Sequence, residues 1–159
     1  MNNLQFREAL LSDVPSMAKI RETEWGSESY WQQRITAYIN GTAHPQHSLP
    51  NRILYLAEDG TEVVGFIAGH LTTRFGCSGE LQWINVLPAY RGHSVAIRLL
   101  CLLSQWFVAQ QAQKVCVDVD PSNERARRFY RKMGAEELNE HWMVWKDIGK
   151  VIRTNVFIR

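Results

Sequence analysis

The chain lacks several features that would declare its chemistry at once. Its 159 residues contain no Gly-x-x-x-x-Gly-Lys-Ser/Thr run and no Gly-x-Gly-x-x-Gly run. A P-loop and a dinucleotide-binding fingerprint are therefore both excluded. No apolar run reaches the length of a membrane span. The opening Met1-Asn2-Asn3-Leu4-Gln5-Phe6-Arg7-Glu8 has no apolar core of the signal-peptide kind, so a cytoplasmic setting is expected. Three cysteines, Cys77, Cys101 and Cys116, give neither an even-numbered disulfide framework nor metal-ligand spacing. No metal is expected, and His44 and His47 sit in a loop without partner ligands. Charge of one sign is scarce too. Eighteen Lys and Arg against 16 Asp and Glu leave +2, too little to argue for nucleic acid or an anionic membrane.

What remains is an ordinary globular composition, 45% hydrophobic and 21% charged. The length suits one domain with a core of its own. There is no internal repeat and no low-complexity linker. Cys101 and Cys116 lie in apolar stretches and read as buried hydrophobes, whereas Cys77, close to Gly76 and Gly79, is expected to be exposed.

The pattern along the chain alternates strands and helices. Residues 4–9 read as a first strand. Ser12 and Asp13 offer helix N-caps, and Pro15 suits the first turn of a helix carrying Met17, Ile20 and Trp25. Residues 27–40 form a second helix stopped by Asn40-Gly41, and 42–50 a loop. Residues 53–58 and 62–71 make a hairpin about Asp59-Gly60. After a turn at 74–79, residues 80–86 form a strand. A helix over 93–111 places Val95, Leu99, Leu102 and Trp106 on one face. Then come a strand at 115–119, a polar helix at 121–132 with Phe129 and Tyr130 facing inward, and a hairpin of 135–138 and 141–146. The β-prone tail, residues 149–159, is expected as an extra strand or a dimer contact beyond a single domain of residues 1–148.

The most informative stretch is Val86-Leu87-Pro88-Ala89-Tyr90-Arg91-Gly92-His93-Ser94-Val95-Ala96-Ile97-Arg98. A β-rich run stops at Pro88, a basic Arg-Gly turn follows, and an apolar helix begins. A helix N-terminus leaves backbone N–H groups unpaired and carries partial positive charge. Presented through a tight turn, such groups hold phosphate or pyrophosphate.

This stretch resembles motif A of the GCN5-related N-acetyltransferases (GNAT), V-x-P-x-x-[RQ]-G-x-G-x-[GA]. Val86, Pro88, Arg91, Gly92 and Ala96 match, while Ser94 stands where the family usually has glycine. A second segment, 123–135, resembles the family's N-x-x-A-x-x-[FL]-Y-x-x-x-G-F. Asn123, Ala126, Phe129, Tyr130 and Gly134 match, and Ala135 replaces the usual aromatic. The resemblance implies an α/β (α+β) acyl-CoA N-acyltransferase fold, with a mixed sheet of six to seven strands and helices on both faces. It implies acetyl-CoA as co-substrate and a splayed gap between strands 80–86 and 115–119 for the pantetheine arm.

Within that fold the resemblance assigns roles. Arg91, Gly92, His93, Ser94, Val95 and Ala96 would hold pyrophosphate, with His93 an exposed turn residue and not a catalyst. Ile84, Asn85 and Val86 would bond pantetheine through the main chain, and an N–H near Asn85 or Val86 would polarise the thioester oxygen. Asn123 would cap its helix or touch the cofactor. Tyr130 would protonate the leaving thiolate. Glu80 matches the place of a catalytic carboxylate in histone-type members and would deprotonate the amine, directly or through water. Simple alternation puts Glu80, Gln82 and Ile84 on one face.

Carboxylates and aromatics in the first two helices, Glu22, Glu24, Trp25, Glu28, Tyr30 and Trp31, suit a cationic amine through Coulomb and cation–π attraction. The reading is an N-acetyltransferase for a primary amine of a small molecule or peptide, by direct attack in a ternary complex. A homodimer is expected from the resemblance. The rivals are a non-catalytic acyl-CoA-binding module and an interaction domain that reuses the fold without cofactor.

Overall fold

Apolar or alternating stretches become most of the strands, and turn chemistry sets several of the loops between them. In the computed structural model, which describes residues 3–155, the strands are β1 (Leu4–Glu8), β2 (Ser48–Asp59), β3 (Glu62–Thr72), β4 (Gly79–Val86), β5 (Val115–Asp118), β6 (Glu136–Glu137) and β7 (Trp142–Trp145). The helices are α1 (Val14–Glu22), α2 (Glu28–Asn40), α3 (Val95–Ala109), α4 (Glu124–Lys132) and α5 (Gly149–Thr154). The sheet order is β1-β2-β3-β4-β5-β7-β6. All pairs are antiparallel except β4 with β5.

Helices cover both faces of this mixed sheet. Met17, Ile20, Trp31, Ile35 and Tyr38 of α1 and α2 pack on Leu54, Leu56, Phe66 and Trp83. Leu99, Leu103 and Phe107 of α3, Tyr130 of α4 and Val151 of α5 pack on Ile67, Leu81, Val117 and Trp145 from the other side. Central β3 is apolar almost throughout because both of its faces are covered.

Local signals account for the ends of most elements. Ser27 Oγ accepts from the Tyr30 N–H to cap α2, and Gly41 closes it at φ +70°. Asp59 and Glu62 face each other across the hairpin turn, with Gly60 at φ +62°.

Several expectations need correction. Strand β2 begins at Ser48, so Pro50 lies within it. β1 reaches only Tyr55, which leaves the front of β2 without a partner on that side, and the register there is irregular. Proline is tolerated at such an edge. Trp25 lies beyond the end of α1, in an exposed turn. The buried stripe of α3 runs through Val95, Leu99, Leu103 and Phe107; Leu102 and Trp106 are only half-buried. Cys77, expected to be exposed, is buried with Cys116 and Val144, and burial pushes both thiols up.

The tail forms no extra strand as far as it is described. Gly149–Thr154 is a helix whose Val151 is fully buried, joined through Ile148 to the α3 core. Residues 156–159 lie outside the described residues.

Gly79 carries a packing constraint. A Cβ there would collide with the ring of Phe107, which is fully buried and has no room to withdraw. Gly79→Ala is expected to destabilise the fold by about 1–3 kcal/mol, the usual range for overpacking. Urea unfolding checks this, with a lower midpoint at unchanged slope.

Candidate active site

The site originates in one irregularity of β4. Ala68 pairs with Trp83 and Gly69 with Leu81, so Gln82 is an extra residue in the strand. Such a bulge reverses the alternation beyond it and increases local twist. Leu81 faces the α3 core, while Trp83 beyond the bulge faces α1 and α2. Glu80, Trp83 and Asn85 therefore share a face. The expected grouping of Glu80 with Gln82 and Ile84 fails because alternation does not survive the bulge.

The β4–β5 ladder ends at the same place. It runs through Gly79–Val115, Glu80–Cys116 and Leu81–Val117 and no further. β5 instead keeps pairing with β7, and the Val119 N–H donates to His141 O at 2.8 Å. Past Leu81, one edge of β4 is open. The Leu87 N–H donates to Val64 O at 2.9 Å, and the Phe66–Asn85 pair keeps the same register. Backbone direction alternates, so Asn85 turns its peptide groups to β3 while Ile84 and Val86 turn theirs into the opening. Of the two N–H groups considered for the thioester oxygen, Val86's faces the cleft and Asn85's does not.

The opening belongs to a cleft of about 1030 Å³. Its walls include Glu80, Ile84, Asn85, Val86, Arg91, Gly92, Ser94, Val95, Ala96, Asn123 and Tyr130. The structure thus brings together all the sequence-predicted catalytic and cofactor positions except His93, whose side chain is exposed outside the cleft. Glu24, Trp25 and Trp31 also line it. Glu28 and Tyr30 do not; Glu28 accepts a hydrogen bond from Gln32, and Tyr30 borders a neighbouring groove.

The turn after β4 is built to expose donors. Tyr90 anchors it through a 2.7 Å hydrogen bond from its hydroxyl to Asp59 Oδ2. Gly92 takes φ +80°, where a non-glycine residue would be strained, and a Cβ there would meet nothing within 4 Å. Ser94 takes φ +65° at the N-cap of α3 without using its side chain as a cap. The first helical bond is Arg98 N–H to Ser94 O. The six consecutive N–H groups of residues 92–97 therefore have no backbone acceptor among the described residues. This is the donor cluster an anionic diphosphate requires.

Glu24 ties the surrounding elements together. Its Oε1 lies 3.6 Å from Arg91 and 3.3 Å from Arg125, and the Asn85 amide donates to it at 3.5 Å. Asn85 Oδ1 accepts from Arg21 at 2.9 Å. Asn123 Oδ1 caps α4 by accepting from the Ala126 N–H at 3.1 Å.

Glu80 is buried at the inner end of the cleft. Its Oε1 accepts from Arg74 Nε at 3.0 Å and lies 3.7 Å from His70 Nε2. Its Oε2 has no hydrogen-bond partner among the described residues, and Glu80 lines the cleft. The Tyr38 hydroxyl lies 2.9 Å from His70 Nδ1. Burial pushes Tyr38 up, and its ring meets the His70 imidazole edge-on. On the other side of the cleft Tyr130 is pushed up mainly by burial, opposed by the Arg21 charge. Its ring packs edge-on against Trp145.

The residues that sequence reasoning missed are mostly cations. Arg21, Arg34, Arg74 and Arg125 line the cleft, and His70 and Tyr38 back Glu80. Arg21 and Arg34 stand in the same segment as the carboxylates chosen for an acceptor pocket, so the signal was available. Glu24 is engaged by two arginines and Trp31 by Arg21, whose guanidinium lies 4.1 Å from its ring centroid.

With this geometry in place, the comparisons agree. The acetyltransferase (GNAT) family model matches residues 14–135. The chain belongs to that family. Solved structures with the same fold include Ard1 from Thermoplasma volcanium, at TM-score 0.71 and 21% identity, covering 89% of this chain and 96% of that one. The PaiA N-acetyltransferase from Thermoplasma acidophilum, in complex with coenzyme A, aligns at TM-score 0.70 and 14% identity over 91% of this chain and 99% of that one. The aminoglycoside 6'-N-acetyltransferase AAC(6')-Ig from Acinetobacter haemolyticus aligns at TM-score 0.71 and 18% identity, covering 85% and 92%.

Ser94 is the family departure with a measurable consequence. A non-glycine residue in the left-handed region costs about 1–2 kcal/mol, partly offset by glycine's greater unfolded entropy. Ser94→Gly is expected to raise stability by about 0.5–1 kcal/mol. A urea melt reads this directly.

Proposed function

We propose that the protein transfers an acetyl group from acetyl-CoA to a primary amine by direct attack in a ternary complex. The observation that carries this is the open edge of β4 leading straight into the free N–H groups of residues 92–97. A continuous sheet would present neither. Residues 92–97 would hold the diphosphate, with Arg91 and Arg125 at the rim. The peptide groups of Ile84 and Val86 would hold the pantetheine amides, as a neighbouring strand would.

The acceptor approaches from the α1–α2 side. An ammonium has no lone pair, so a proton must leave before attack. Glu80 takes it on Oε2, while Arg74 holds Oε1 in place. The Val86 N–H donates to the oxygen that gains charge in the tetrahedral intermediate. Tyr130 serves the departing sulfur. A free thiol titrates near about 8.5 and tyrosine near about 10, and burial moves Tyr130 further up. Full proton transfer is then uphill, so Tyr130 acts by donating a hydrogen bond to the developing thiolate.

A cytoplasmic setting and pairing of two copies belong to the same reading; light scattering tests the second. The rival, a coenzyme-binding module without catalysis, needs neither a cleft-facing carboxylate at Glu80 nor a hydroxyl at Tyr130.

Tyr130→Phe is expected to lower kcat by about 10–100-fold while the CoA Kd, measured by calorimetry, stays within about threefold. Unchanged kcat removes Tyr130 from the mechanism. Glu80→Gln is expected to lower kcat by about 100-fold or more at similar CoA affinity. If both variants keep full turnover, or if the wild type binds CoA and consumes no thioester with any amine, the binding module is the better account.

A further inference from the structure

Two guanidinium groups on the acceptor side of the cleft keep unused donors among the described residues. Arg34 projects from α2 and makes no hydrogen bond or ion pair among the described residues; its guanidinium lies 5.6 Å from the Tyr30 ring centroid. Arg21 projects from α1, donates to Asn85 and stacks on Trp31, yet its Nε is buried without a partner. Both side chains line the cleft, Arg21 from α1 and Arg34 from α2.

The nearby carboxylates already have arginine partners on one oxygen. Glu24 is drawn away by Arg91 and Arg125, and Glu80 is engaged by Arg74. Asp118 and Asp120 stand on the β5 wall. Arg34 and Arg21 both line the cleft, so an anionic group bound on this side meets two positive charges.

Arg34 also occupies a junction. A second groove of about 310 Å³ adjoins the cleft and shares Arg34, Pro45, Gln82 and Trp83 with it. Tyr30, Tyr38 and His44 line its remainder. Its volume is in the range of a small-molecule subsite. An occupant reaching from this groove to the open edge of β4 would pass over Arg34.

We propose that the acceptor is a small amino acid-like molecule, with a carboxylate beside its primary amine, and that Arg34, backed by Arg21, holds that carboxylate where the groove meets the cleft. The planar fork of arginine presents paired N–H groups that match the two carboxylate oxygens. Anchoring the carboxylate there aims the neighbouring amine toward Glu80 and the thioester position. The proposal rests on the reading of the protein as an amine acetyltransferase. It replaces the cationic acceptor that Glu24 and the aromatic residues evoke in the sequence.

The test compares thioester consumption from acetyl-CoA with a pool of free amino acids and with a pool of their primary amides. Wild type, Arg34→Gln and Arg34→Lys are assayed, with CoA affinity of each measured by calorimetry as a check on folding. Arg34 is exposed and makes no bond that the fold needs. The expected result is at least a tenfold preference for the acids in the wild type. Arg34→Gln collapses that ratio toward one, and Arg34→Lys restores part of it. Equal or faster use of the amides by the wild type overturns the proposal, as does an acid-to-amide ratio unchanged in Arg34→Gln. If neither pool is consumed by protein that binds CoA, the acceptor assignment is wrong and the coenzyme reading stands. If CoA does not bind, the coenzyme reading itself fails and this proposal falls with it.

Discussion

The molecule depends on a stretch of backbone that is denied its partner. Beyond Leu81 the edge of β4 has β3 on one side and nothing from β5 on the other. Buried peptide groups left without partners are costly, so an open edge inside a protein is maintained only by surrounding structure. Here the extra residue Gln82 turns the strand, and β5 is committed instead to β7. The opening then continues into the turn at 91–94 and the first N–H groups of α3. Strand edge and helix end form one row of donors and acceptors, suited to a long ligand with amides at one end and a diphosphate at the other.

Around that row, the polar network keeps the elements in register. Glu24 bridges the turn after α1 to the phosphate-type turn and to α4, and Asn85 bridges it to Arg21 on α1. These contacts are partly exposed, so each contributes little to stability. Their consequence is positional. They fix the distance between the acceptor wall, the open edge of β4 and the donor turn, and a reaction between two bound molecules depends on that distance. The buried set around Glu80 does the same on the inner side, with Arg74 and His70 on one oxygen and the other left toward the cleft.

Much of the architecture was legible because it follows from local rules. The capped helix ended by Asn40-Gly41, the Asp59-Gly60 hairpin, the strand before Pro88 and the strand–helix–hairpin order near the C-terminus each leave a short-range mark. Misreadings arose where distant chain decides. Pro50 is accommodated because β1 is too short to reach it. The stripe of α3 is set by the sheet it meets, which is why Leu103 is buried and Leu102 is not. Residues 149–154, β-prone by composition, become a helix because Val151 finds the α3 core.

For the site itself, the resemblance carried by the sequence already named Glu80, Arg91, Gly92, Asn123 and Tyr130, and all five line the cleft. Tertiary structure alone decided which way they point and what they find there. The bulge at Gln82 places Glu80 with Asn85 and Trp83, since one inserted residue reverses a period of two. The partners of Glu24 and Trp31 come from other elements, so no local pattern could reveal that arginines had already claimed them. Identity and spacing are carried along the chain, whereas charge balance is a property of space.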